Sequence, residues 1–202
     1  MELSEHTKNI LGLQLPTDPR WVDLASIRLE DILTDHAYCE QKAASSCISL
    51  IVNFHGFTDL VDTLTPVVAE EWSHFERVME QLRKRGIPFD KPRKDEYVIQ
   101  LNASIRHGGT QDQQLGERLF INALIEARSC ERFRILSQEI QDESLKKFYH
   151  ELMISEAGHY VNFIDLAKEY LPAEYVKQRW NEWLEIEANI ITNLELRGDR
   201  VH

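Results

Sequence analysis

The feature that most constrains this chain is a pattern written twice. Glu71-Trp72-Ser73-His74 and Glu156-Ala157-Gly158-His159 are both Glu-x-x-His, and each has a further glutamate about one helix upstream. Glu40 stands 31 residues before Glu71, and Glu126 stands 30 residues before Glu156. Three residues along a helix bring Glu and His onto one face. One such motif alone reads as a solvated helix face. Two copies on alternate long helices, each preceded by a glutamate at the same interval, read as two matching halves that face each other.

The chain between these residues supports that reading. Gly (8) and Pro (6) are scarce among 202 residues, which favours long helices over a turn-rich all-β fold. Asp18-Pro19 opens the first ordered segment, with Asp18 as cap and Pro19 at the first helical position. A helical period runs from about Leu29 to Phe54, carried by Ile32, Leu33, Ala37, Ala44, Cys47, Ile48 and Ile51. A second helix spans about Thr58 to Arg85, with a kink or restart expected at Pro66. Residues 87–112 form a connection rich in charge, Pro and Gly, with a short helix over Glu96–Arg106. A third long helix spans about Gln114 to Glu139, and a fourth runs from near Asp142 to Leu171. A fifth runs from Ala173 to about Leu196, with Trp180, Trp183, Ile186, Ile190 and Ile191 on one core-facing stripe. The tail, Arg197 to His202, reads as frayed. Helix pair, long crossover, helix pair and extra helix give an all-α, ferritin-like four-helix bundle with an additional C-terminal helix. The whole chain, 1–202, is read as one domain.

In such bundles, a Glu from each of two helices and a Glu-x-x-His from each of the others hold two metal ions. The candidate ligands, and candidate catalytic residues, are therefore Glu40, Glu71, His74, Glu126, Glu156 and His159. Glu70 and Glu131 are rivals, but neither keeps the repeated interval, and Glu131 lies roughly 140° around the helix from Glu126. Oxygen-rich ligation with two nitrogens and no thiolate suits iron or manganese rather than structural zinc. His36, one turn before Glu40, and Arg128, Glu131 and Arg132 beside Glu126 are candidates to support the ligands.

The formal net charge of −11 argues against nucleic acid binding over a broad face. A local basic patch remains, formed by Arg83, Lys84, Arg85, Lys91, Arg93 and Lys94 around the loop after the second helix, with Arg106 closing the crossover. Such clusters contact phosphates, although they also suit a solvated helix C-terminus. Three cysteines without a CxxC pair suggest no disulfide framework. Met1 to Pro19 lacks the pattern of a signal peptide and no apolar run is long enough to cross a bilayer, so a cytoplasmic location is expected.

Four segments resemble the MiaE-type tRNA hydroxylases, which act on 2-methylthio-N6-isopentenyladenosine. They are Leu33-Thr34-Asp35-His36 through Cys39-Glu40 and Lys42-Ala43-Ala44; Glu70-Glu71 with His74-Phe75; Ile125 through Phe133; and Ser155-Glu156-Ala157 with His159-Tyr160. The third is the most specific. The resemblance extends from about Leu33 to Ala188. It implies a ferritin-like fold, a non-haem di-iron centre on the six residues above, and O₂-dependent hydroxylation of the isopentenyl group beside the tRNA anticodon. It also implies an electron-donating reductase or ferredoxin as partner, in a monomer or small homo-oligomer. Competing expectations are a di-iron oxygenase or peroxidase on a small substrate, and an iron- or oxidant-handling protein. A narrow apolar channel to the metals is expected.

Overall fold

The computed structural model describes residues 10–202, so part of the expectation for Met1 to Pro19 lies outside the described residues. Among them are seven α-helices and no strand: α1 (Arg20–Ile27), α2 (Leu29–Asn53), α3 (Thr58–Lys84), α4 (Glu96–Ala103), α5 (Gln111–Glu139), α6 (Glu143–Tyr170) and α7 (Ala173–Asn193). Short connections make α2–α3 and α5–α6 antiparallel hairpins, and the crossover carrying α4 joins them. The fold is the ferritin-like bundle, with α7 packed outside it.

Helix ends follow local chemistry. Asp18 Oδ1 accepts the Arg20 amide at the start of α1. Thr110 and Gln113 form a reciprocal capping box that starts α5 one turn earlier than its apolar period suggests. Asp142 accepts the Ser144 and Leu145 amides at the start of α6. Pro66 does not restart α3, which is continuous through it. Pro66 is exposed, so the carbonyl deprived of its partner lies on the side where water can serve it.

The core falls into two apolar blocks. One, with Leu50, Leu64, Leu119, Phe163 and Trp183, fills the end nearest α7. The other, with Trp21, Leu33, Val78, Phe133 and Tyr149, fills the opposite end. Of the α7 stripe, Trp183 and Ile190 are buried, while Trp180, Ile186 and Ile191 pack partly buried against the first block.

The tail differs from expectation. Val201 is fully buried, and its amide donates to Asp35 Oδ2 at 2.8 Å. Arg132 donates to the Val201 carbonyl, and Trp21 Nε1 donates to that of Arg200. These partners lie far away in sequence, so the polar run at 197–200 gives no local sign of them.

Candidate metal centre

The six residues chosen by spacing meet at the waist between the two apolar blocks. Glu40 comes from α2, Glu71 and His74 from α3, Glu126 from α5, and Glu156 and His159 from α6. All six are buried. Their donor atoms form two overlapping groups, each within 4.8 Å: Glu40, Glu71, His74 and Glu156, and Glu71, Glu126, Glu156 and His159. Glu71 and Glu156 belong to both. Two sites that share two carboxylates are what a pair of adjacent ions requires.

The contacts are close but are not ordinary hydrogen bonds. His74 Nδ1 is 3.6 Å from Glu40 Oε2, 3.6 Å from Glu71 Oε2 and 3.4 Å from Glu156 Oε1. His159 Nδ1 is 2.6 Å from Glu71 Oε1 and 3.5 Å from Glu156 Oε2. Both Nδ1 atoms, both Glu71 oxygens and Glu156 Oε1 nevertheless lack an aligned hydrogen-bond partner. Buried polar atoms are rarely left so. Lone pairs converging on a common point fit cations between them.

Charge gives the same answer. Burial, with Glu156 and Glu71 nearby, pushes the Glu40 carboxyl well above its ordinary range, and the same causes raise Glu126. Burial would lower His74 and His159, but the surrounding carboxylates outweigh it. They hold His74 at about 10 and His159 at about 11. Without a cation the cluster must carry protons; two divalent ions would replace them.

His36 and Glu70 contact the cluster from behind. His36 Nε2 is 2.5 Å from Glu40 Oε1, and the fully buried ring lies between Phe133 and Tyr149. Burial lowers its pKa to about 3, so the ring is neutral and shares one proton with Glu40 across this contact. Glu70 Oε2 lies 3.1 Å from His159 Nε2, and Ser155 Oγ donates to the other Glu70 oxygen at 2.7 Å. A ligating histidine is commonly oriented this way through its far nitrogen. In the sequence Glu70 reads only as a rival ligand to Glu71. Its position across from Ser155, one turn before His159, is the signal that could have assigned it.

Arg128, Glu131 and Arg132 turn away from the cluster. Arg128 lies two residues after Glu126, about 200° around α5. It pairs with Glu131 and, at 2.6 Å, with Glu187 of α7. Glu131 also accepts the Thr17 amide and hydroxyl. Arg132 lies over the Trp21 ring and bonds the tail.

A cavity of about 520 Å³ between α2, α4 and α5 reaches Glu126. Its wall is mixed rather than apolar: Lys42, Ser46, Asn53, Asn122, Arg106 and Arg118 line it beside Ala43, Leu50 and Ile125. The basic residues expected around the loop after α3 lie elsewhere. Arg83 follows Glu71 by 12 residues, ~18 Å along α3 towards the start of α2. The cavity runs the other way, towards Asn53 and Phe54. Arg85 is held by Asp142, Arg93 by Asp31 and Asp199, and Lys84 by Glu80. Of the expected set, only Arg106 borders the cavity, and it pairs with Glu182.

Residues 4–202 match the family model described as tRNA-(MS[2]IO[6]A)-hydroxylase (MiaE). The chain belongs to the MiaE family. A Pseudomonas putida relative, named tRNA 2-(methylsulfanyl)-N(6)-isopentenyladenosine(37) hydroxylase, is 37% identical over 158 residues, covering 78% of this chain and 76% of that protein. A Salmonella typhimurium protein of the same name is 36% identical over 132 residues. That match covers 65% of this chain but only 47% of the relative. Among solved structures, "Protein 43 with aldehyde deformylating oxygenase activity from Synechococcus" superimposes with a TM-score of 0.89 at 30% identity, over 94% of each chain. MiaE-family membership thus accompanies a fold shared with an oxygenase. No helix among the described residues is long and apolar enough to cross a membrane.

Proposed function

We propose that this chain hydroxylates the isopentenyl group of a 2-methylthio-N6-isopentenyladenosine-type nucleoside in tRNA, using O₂ and external electrons. The observation that carries the reading is the pair of overlapping donor groups sharing Glu71 and Glu156. In this reading Glu40 and His74 complete one iron site, and Glu126 and His159 complete the other. Two bound irons would supply reduction of O₂ with two electrons and two protons, leaving one oxygen atom in a C–H bond and the other in water. The protein's own part is positional. The apolar blocks exclude water from the waist, His36 orients Glu40, and Glu70 orients His159.

The cavity reaching Glu126 is the proposed way in. Its mixed wall suits a flat base with polar edges and a short greasy substituent. A base enters a buried site only when turned out of its strand, which costs least in a single-stranded loop. The anticodon loop would then lie over the mouth, near Arg106 and Arg118. Arg118 is exposed and makes no ion pair among the described residues. Arg83, Lys84, Lys91 and Lys94, with Arg85 and Arg93 largely committed to the fold, are left for flanking nucleic acid at most. Such an enzyme works in the cytoplasm with a reductase or ferredoxin, as a monomer or small homo-oligomer.

The test is nucleoside analysis of tRNA treated with the reduced, iron-loaded protein under ¹⁸O₂. One ¹⁸O atom should appear on the isopentenyl chain; oxygen from water would sink the reading. Arg118→Glu should weaken tRNA binding and flatten its salt dependence by about one unit of slope. An equal loss in Arg83→Glu would return the docking surface to the loop after α3. One observation favours a second reading, an oxygenase acting on a small aldehyde or alkyl chain: the likeness to the Synechococcus structure. Turnover of a free aldehyde, with tRNA untouched, would select it.

A further inference from the structure

Three side chains that the reading above leaves unused converge on the cavity wall. Cys39 on α2, Asp95 at the start of α4 and His202 in the tail each offer one donor atom, all within 4.8 Å of one another. His202 Nδ1 is 3.9 Å from Cys39 Sγ and 3.5 Å from Asp95 Oδ2. The same ring nitrogen therefore faces both partners. A Cys–His–Asp nucleophile needs opposite nitrogens, one towards the thiol and one towards the carboxylate. That relay is excluded here, whereas a single shared centre is what a cation needs. The far nitrogen, Nε2, is already engaged, 2.8 Å from Ser129 Oγ. This leaves Nδ1 turned towards Cys39 and Asp95, as at metal sites whose histidine is fixed from behind.

The spacing is also right. Tetrahedral zinc, with bonds of about 2.0 Å to nitrogen or oxygen and about 2.3 Å to sulfur, separates its donors by roughly 3.3–3.6 Å. The two separations from His202 Nδ1, 3.9 and 3.5 Å, lie within a few tenths of an ångström of that range, and all three donors lie within 4.8 Å of one another. The supports are ordered: Val98 N donates to Asp95 Oδ1, and Val201 N donates to Asp35 Oδ2. Lys42 Nζ, 3.7 Å from Asp95 Oδ2, opposes a cation, but its side chain is 39% exposed and free to turn to water.

We infer that Cys39, Asp95 and His202 form a third, mononuclear cation site of the zinc class, separate from the Glu/His cluster, with its open position towards the cavity. Thiolate and imidazole select zinc over calcium or magnesium. A bound ion ties the tail to α2 and α4 and occupies the wall of the passage to Glu126. The inference does not depend on which substrate enters that passage.

Iron-loaded protein is titrated with Zn²⁺ and, separately, with Co²⁺, and the metals are counted after desalting. One further ion should bind per chain with iron retained, and cobalt should give a thiolate charge-transfer band in the near ultraviolet. Cys39→Ser should abolish the band and the third ion. Ser129→Ala should weaken binding by about 10–100-fold. His202→Ala, at the ligand outside every helix, should lose the ion without disturbing the helical circular dichroism. The inference is overturned by no third ion in the unaltered protein, by a cobalt band that survives Cys39→Ser, or by zinc uptake that only replaces iron.

Discussion

Glu126 and Glu131 lie five residues apart on α5, are both buried, and meet opposite surroundings. Glu126 lies in a cluster of other acids and two histidines, and no lysine or arginine pairs with it among the described residues. Glu131 faces Arg128, which also holds Glu187, so that side of the helix is neutralised by the chain itself. Burial of carboxylates alone therefore does not mark a metal site. What distinguishes the two regions is whether the fold supplies a permanent guanidinium, as at Glu131, or only exchangeable protons on imidazoles and carboxyls that an incoming cation can replace.

The sharpest way to break this contrast is to remove a shared acid. Glu156→Ala should lose both irons and all hydroxylation while the helices stay folded; iron analysis and turnover measure it. Glu126→Ala should lose at least one iron and Glu131→Ala none. Equal metal loss in those two variants would erase the distinction. Next in size is Arg128→Met, which strands Glu131 and Glu187. Removing one partner of a buried ion pair costs about 3–5 kcal/mol, so the denaturant midpoint should fall steeply with iron content preserved. Glu70→Ala should act more mildly, weakening iron at the His159 site about 10–100-fold, read by competition with a chelator. The smallest signal is proton release. His74 and His159, at about 10 and 11, are protonated at neutral pH in the iron-free protein. Loading with ferrous iron at pH 7 should therefore release at least about two protons per chain. Release should fade as the starting pH rises past 10, where the imidazoles are already neutral. A weakly buffered indicator assay would show it, and no release would mean that the cluster is not proton-filled before loading.

The same contrast explains what could be read beforehand. The fold and the meeting of the six donors were legible because helical periodicity and a repeated interval are local signals. What lay behind α5 was not. Periodicity does not tell which helix covers the back of Arg128, and its partner Glu187 is 59 residues away. The tail reads as frayed in sequence for the same reason, because its partner Asp35 is 166 residues from Val201. Arg85 and Arg93 looked free in sequence because Asp142 and Asp31 come from other elements. The cavity needs three elements to define it, and no stretch of sequence contains it.

In α5, 18 of 29 residues are buried, whereas in α3 only 7 of 27 are. One helix touches the Glu/His waist, α7, α4 and the segment before α1 with different faces, so nearly every substitution along it must satisfy some neighbour. The other can drift along most of its outer surface. A saturation mutagenesis map of this chain would accordingly be dark on every face of α5 and striped along α3. The segment Ile125–Phe133, where the family resemblance is most specific, lies in the part of the chain with the least room to vary.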